Sequence, residues 1–266
     1  MDVVGRASIV LMALVALVGA FGSEQTSECT AKAAARDLVR RTMAWDSSHQ
    51  LRATRREDWE DDLFGLQVKV KGNIAKAAYF FEVTETGYFV LSPDEAVYVD
   101  TMDGRRYWVV AVSKKVGEAH GLYGFPRAAA EFRTLASDSH LAVQSEADAK
   151  ATALLFCETV KDPRGLMLVF HSRQLKRRVE DFFLSKLPES KAERRSRTWW
   201  RGLTTRKRAP KLGVAVTTSG EDYTVTVPLI RSHDGETLQL LVLALTVRST
   251  GACTETGAKV LYASSG

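Results

Sequence analysis

Apolar residues recur with two different periods along the chain, and the periods separate helical from extended stretches. Within residues 29–45 they recur at intervals of four and three, the pattern of an amphipathic helix: Ala31, Ala35, Leu38, Thr42 and Trp45. From residue 66 the period becomes two, so residues 66–71 are predicted to form a strand. The charged stretch 52–62 between them is predicted to be a short exposed helix or loop.

Short runs rich in aromatic and β-branched residues continue the extended pattern. They occupy residues 79–83, 88–91, 97–100 and 107–112, with turn sequences such as Thr86-Gly87 and Asp103-Gly104 between them. Strands joined by tight turns form an antiparallel meander rather than a parallel, nucleotide-binding sheet. A helix at residues 126–136 is predicted to close this half of the chain.

The second half repeats the order of helix and then strands. Ser145 is a suitable cap for a helix that runs to about residue 160, and Pro163 follows it. A second helix is predicted at 173–187. The predicted strands are 166–170, 214–217, 223–230, 237–247 and 259–262, with Asp234-Gly235 as the turn of the longest hairpin.

These elements predict an α+β fold of antiparallel β-meander sheets with helices packed on one face. The predicted organisation is a signal peptide at residues 1–22, an N-terminal half at 23–136 and a C-terminal half at 137–266. The order of elements suggests that the two halves are similar, although their residues show no repeat.

The first 22 residues have the layout of a secretory signal peptide. Arg6 precedes the apolar run 9–18, and small residues place a cleavage site near Ala20 or Gly22. The apolar stretch 7–22 is shorter than the ~20 residues of a membrane-spanning helix. The sequence therefore predicts export to the periplasm or the extracellular space, and an uncleaved anchor is the alternative.

Export would allow the three cysteines to form a disulfide, because disulfides persist in oxidising compartments. Cys29, Cys157 and Cys253 lack the spacing of a metal site, and three cysteines allow at most one bridge within the chain. Cys157 falls on the apolar face of its predicted helix and is expected to be a buried thiol. The sequence favours a Cys29–Cys253 disulfide, and three free thiols are the alternative.

One segment departs from the composition of the rest. Residues 191–211 contain nine basic residues and one acidic residue, a local charge of +8 in a chain whose net charge is +5. A basic run with two adjacent tryptophans is typical of contact with an anionic surface. The candidate contact residues of this predicted loop are Arg194, Arg195, Arg197, Trp199, Trp200, Arg201, Arg206, Lys207 and Arg208.

The partner suggested by this loop is an anionic lipid or an acidic polymer. Nucleic acid is a poor candidate, because exported proteins rarely meet it. The alternative is that residues 191–211 are a solvated linker between a helix and a strand, as charge runs often are.

The sequence contains no motif for a catalytic, metal or cofactor site. It lacks G-x-S-x-G, H-E-x-x-H, the Walker phosphate loop and G-x-G-x-x-G. His120 lies in a glycine- and aromatic-rich loop that could line a pocket. Two functions remain: an exported, noncatalytic binding or envelope-associated protein, or a secreted hydrolase whose unrecognised active site lies near His120 or Cys157.

Overall fold

A computed structural model describes most of the chain after residue 25. The described residues are 26–47, 49–61, 66–85, 107–160, 166–168, 176–177, 179–181, 183–184, 187–205, 213–232 and 238–263. The predicted signal peptide, the hairpins between residues 86 and 106, and the Asp234-Gly235 turn lie outside this part, as do Arg206, Lys207 and Arg208.

The helices and strands alternate along the chain. The helices are α1 (Glu28–Met43), α2 (Asn73–Ala77), α3 (Ala128–Asp138), α4 (Glu146–Thr159) and α5 (Glu189–Thr205), and the described residues between 176 and 184 are also helical. The strands are β1 (Leu51–Arg55), β2 (Asp58–Asp61), β3 (Leu66–Lys69), β4 (Ala78–Glu85), β5 (Tyr107–Ser113), β6 (Ala119–Tyr123), β7 (Leu166–Leu168), β8 (Ala215–Ser219), β9 (Asp222–Ser232), β10 (Leu238–Val247) and β11 (Cys253–Ala263).

All strand pairs within the described residues are antiparallel, so the predicted α+β class with antiparallel sheets is confirmed. The first sheet has the order β1-β4-β5-β6. The second has the order β11-β10-β9-β7, and β8 pairs with β9 beyond the end of β7. Strands β2 and β3 form a separate two-stranded ribbon.

Each sheet is covered by helices on both faces, where the sequence predicted one. In β4, Phe80 faces a central core shared with α3 and α4, whereas Phe81 faces a separate core with α1. In β10, Leu241 faces the central core, whereas Leu240 faces a third core with α5. Strands buried on both faces carry nearly continuous apolar runs, as β5 does, and strict alternation is lost.

The layers therefore follow one another in the order α1, first sheet, α3 with α4, second sheet, α5. The central core lies between the two sheets and takes residues from both halves of the chain, among them Phe80, Leu135, Leu155 and Leu241. The predicted boundary between residues 136 and 137 falls inside α3.

Helix α4 is the centre of this arrangement. Ser145 caps it as predicted, its hydroxyl accepting a hydrogen bond from the Asp148 backbone N–H at 3.1 Å. The residues from Ala151 to Thr159 are all buried, which explains why the helix has little amphipathic character.

Strands or helices are found in three predicted segments: two predicted loops, and residues 52–62, predicted to be a short exposed helix or loop. Residues 52–62 contribute to β1 and β2, because Trp59 is buried and packs edge-on against Phe80 with ring centroids 6.0 Å apart. The loop predicted around His120 begins with β6, which pairs with β5. The predicted loop at 191–211 is the helix α5 as far as Thr205.

Candidate functional site

Helix α5 has one face buried in the protein. Its buried residues are Ala192, Ser196, Trp199 and Leu203, at intervals of four, three and four. These positions form one stripe along a helix and pack against Ile230, Leu238 and Leu240 of the second sheet. The hypothesis of a solvated linker is therefore wrong for residues 191–205.

The adjacent tryptophans of α5 have different surroundings. Trp199 is buried; its indole N–H donates to the Leu238 carbonyl at 3.3 Å, and its ring meets Tyr262 edge-on with centroids 5.1 Å apart. Tyr262 also approaches Gly202 so closely that a Cβ there would collide with its hydroxyl. Trp199 is thus a core residue, and its prediction as a surface contact is corrected.

The opposite face of α5 exposes basic side chains to solvent. Lys191, Arg194, Arg197 and Arg201 are exposed, and Arg195 is half-buried. Arg197 pairs with Glu193 one turn earlier at 2.7 Å. The exposed residues of the predicted basic segment therefore lie on one face of an amphipathic helix.

A shallow groove of about 450 Å³ runs between α5 and the described helical residues 176–177, 179–181 and 183–184. Its charged lining is balanced, with three cationic and three acidic side chains: Lys176, Arg197, Arg201, Glu180, Glu189 and Glu193. Half-buried Trp200 and Leu184, which is 47% exposed, supply apolar surface. This groove was not predicted from the sequence, although the helical spacing of the buried α5 residues already separates Trp200 from Trp199.

His120 is enclosed by two carboxylates. Its ring is buried in β6, with Nδ1 3.2 Å from Glu131 Oε2 and Nε2 3.1 Å from Asp138 Oδ2. The Nε2 contact is at ion-pair distance but is not aligned as a hydrogen bond. Glu131 and Asp138 lie two turns apart on α3, so they fasten this helix to β6.

This geometry does not suit His120 as a general base. A base needs a ring nitrogen within hydrogen-bond reach of the proton that it removes. Here both nitrogens face carboxylates. The hypothesis of a pocket lined by this residue gains no support from these contacts.

The three cysteines are free thiols in the structure, and Cys29 is not paired with Cys253. Cys29 is exposed at the start of α1, whereas Cys157 and Cys253 are buried in the central core. Burial raises the pKa of the Cys157 thiol well above its usual range, and the nearby Cys253 raises it further. The expectation of a buried thiol at Cys157 is confirmed, and a protonated, enclosed thiol is a poor nucleophile.

A second groove, of about 380 Å³, lies where β1 meets the ribbon and α2. Two of its four cations are engaged within the protein: Arg55 contacts Glu28 at 2.8 Å and Arg56 contacts Glu82 at 2.6 Å. The Tyr79 ring lies under the Arg55 guanidinium and the Lys114 ammonium, at 5.4 and 4.5 Å from its centroid. These contacts stabilise the groove wall and leave fewer cations to bind a ligand.

Comparison with known proteins yields no family: no family model, no curated protein and no solved structure matches this chain. Within the described residues, no group of three or more His, Cys, Asp or Glu side chains is arranged to hold a metal ion. No helix in that part of the chain has both the length and the apolar character needed to cross a membrane.

Proposed function

We propose that the protein is an exported, noncatalytic binding protein that contacts an anionic membrane surface through α5. The observation that carries the proposal is the division of this helix into two faces. One face is anchored to the second sheet by Trp199, and the opposite face presents Lys191, Arg194, Arg197 and Arg201 to solvent.

Electrostatics make this face suitable for an anionic surface. A basic side chain close to such a membrane contributes about 1 kcal/mol to binding, and α5 exposes four of them. The acidic residues of α5 are Glu189 and Glu193, and Glu193 pairs with Arg197. The sequence adds Arg206, Lys207 and Arg208 immediately after the helix.

Apolar side chains beside the basic face favour a membrane over a soluble acidic polymer. Trp200 is half-buried and Leu184 is exposed, and both line the groove next to the basic residues. Tryptophan prefers the depth of the lipid headgroups, where its ring can be partly apolar and partly hydrated. A helix held against the protein would then lie on the surface without crossing it.

The hydrolase alternative has less support. Both His120 nitrogens face carboxylates, and the Cys157 thiol is enclosed in the central core. Neither group has the exposure and geometry of a catalytic base or nucleophile.

Vesicle binding tests the proposal. Lys191→Gln with Arg194→Gln removes two exposed charges from α5, and an effect of about 1 kcal/mol per charge predicts a roughly 30-fold weaker partition coefficient. Co-sedimentation with vesicles of phosphatidylglycerol and phosphatidylcholine at low salt measures it. Binding should also weaken as the salt concentration rises.

The chain offers a matched control on other helices. Arg133 on α3 and Lys150 on α4 are also exposed, so Arg133→Gln with Lys150→Gln changes the net charge by the same amount. This variant should bind as the wild type does. Equal losses in the two double variants would show a general charge effect and contradict a site on α5, and so would binding to a soluble polyanion without binding to vesicles.

A further inference from the structure

Helix α4 meets the beginning of β11 in the central core. Cys157 lies in the last turn of α4 and Cys253 is the first residue of β11, and both belong to the central core. Phe156 contacts Phe132 of α3 edge-on, with ring centroids 5.2 Å apart, and α3 and α4 each contact β11. Two of the three thiols of the chain therefore lie on elements that contact each other within the central core.

The electrostatics of Cys157 agree with this placement. Of the charged or ionisable groups that act on its thiol, Cys253 has the largest effect, and Glu255 on the same strand also contributes. Glu255 lies two residues after Cys253, so both groups belong to the stretch of β11 that approaches the end of α4.

We propose that Cys157 and Cys253 form a disulfide when the protein folds in an oxidising compartment, and that Cys29 remains the free thiol. The proposal rests on the export that the proposed function includes. Two S–H bonds break and one S–S bond forms; two protons and two electrons leave. The electrons reduce the disulfide of an oxidant, either a thiol–disulfide oxidoreductase or oxidised glutathione, to two thiols.

This pairing replaces the one favoured by the sequence. Cys29 belongs to α1, which packs on the outer face of the first sheet, whereas Cys253 lies in the central core on the other side of that sheet. A Cys29–Cys253 bond would require one of these elements to leave its layer. Cys157 and Cys253 lie in adjacent layers, and their elements α4 and β11 already contact each other.

The burial of both thiols determines when the bond can form. Each is enclosed by the folded protein, and burial raises the pKa of each thiol. Thiolate, the species that attacks a disulfide, is therefore scarce in the native state. The bond should form while the chain is still open, and the folded, reduced protein should oxidise slowly.

Refolding of the reduced, denatured full chain in a buffer of oxidised and reduced glutathione tests the pairing. This test does not depend on whether the protein is exported. After denaturation and alkylation, the product should contain one free thiol, and a digest without reductant should contain the linked Cys157 and Cys253 peptides. The bond would join residues that are 96 positions apart in the sequence and so close a long loop. It should place the thermal midpoint roughly 10 °C above that of the reduced protein.

Cys29→Ala provides a control that leaves the core unchanged, and its linked peptide should remain. Three free thiols after equilibration in the oxidising buffer, or a linked peptide that contains Cys29, would overturn the proposal. Vesicle binding is measured independently, so failure of the disulfide would leave the basic face of α5 untouched.

Discussion

At the scale of single residues, the surroundings of a side chain decide its role more than its type does. Cys29 is exposed, whereas Cys253 is enclosed and its pKa is raised to about 12 by burial. Trp199 and Trp200 are neighbours in sequence, yet one donates a hydrogen bond inside the core and the other lines a surface groove. Residue type and local charge alone would assign the same role to Cys29 and Cys253, and the same role to Trp199 and Trp200.

The buried thiols predict that the reduced protein loses stability in alkaline solution. The pKa of Cys253 rises from 9.0 to about 12 on folding, so the unfolded chain releases this proton first. Loss of this proton stabilises the unfolded state relative to the folded state. The free energy of unfolding therefore falls as the pH rises above about 8. By pH 10 the loss is about 1 kcal/mol for this thiol.

Urea denaturation with reductant present, at intervals between pH 7.5 and 10, measures this loss. Cys253→Ala should reduce the slope of stability against pH, whatever it does to stability at neutral pH. The same slope in wild type and variant would contradict the assignment. Cys29→Ala is the matched control substitution, because it removes a thiol that is exposed.

At the scale of elements, α5 depends on Trp199 for its attachment to the second sheet. Trp199→Ala removes the hydrogen bond to the Leu238 carbonyl and the contact with Tyr262, and a large core truncation of this kind costs about 3–5 kcal/mol. Trp200→Ala should cost less than half as much, because that ring is only partly buried.

Denaturant unfolding compares the two tryptophan variants, and vesicle co-sedimentation separates their roles. Trp200→Ala should weaken binding to anionic vesicles while the protein stays folded. Comparable stability losses in both variants would contradict the different roles given to the two rings.

The elements that the sequence predicts well carry strong local signals. Ser145 announces α4, and the long apolar strand β10 begins within one residue of its predicted start. Strands β1 and β2 were missed because five of their nine residues are charged, and the buried Trp59 contact that holds the ribbon is not local. Strand β6 contains a glycine and is short, so its pairing with β5 had to come from the tertiary structure.

The candidate site was predictable in part for the same reason. The exposed arginines of α5 follow directly from the charge run, but the run hid the buried stripe of Ala192, Ser196, Trp199 and Leu203. The helical spacing of this stripe is a local signal, but the high density of charge in the same segment favoured the prediction of a loop. The proximity of Cys157 to Cys253 is different, because it depends on how α4 crosses a strand almost a hundred residues away, and no local pattern reports it.

At the scale of the whole molecule, the central core joins the two halves of the chain. Phe80, Val109 and Leu135 come from the N-terminal half, and Leu155, Val227 and Leu243 come from the C-terminal half. Helix α4, from the second half, is buried against the second sheet and also contacts β3 and α2 of the first half, so neither half has a complete core without the other.

Splitting the chain at the predicted boundary tests this shared core. Residues 23–136 and 137–266, expressed separately, should each expose half of an apolar core and lack a cooperative thermal transition, whereas residues 23–266 should unfold in one transition. Circular dichroism on heating and binding of a hydrophobic dye provide the measurement. The cut also falls within α3, so a second pair of fragments divided at residues 143 and 144 keeps this helix whole. Cooperative unfolding of either fragment from that second pair would show an independent domain and contradict a core that requires both halves.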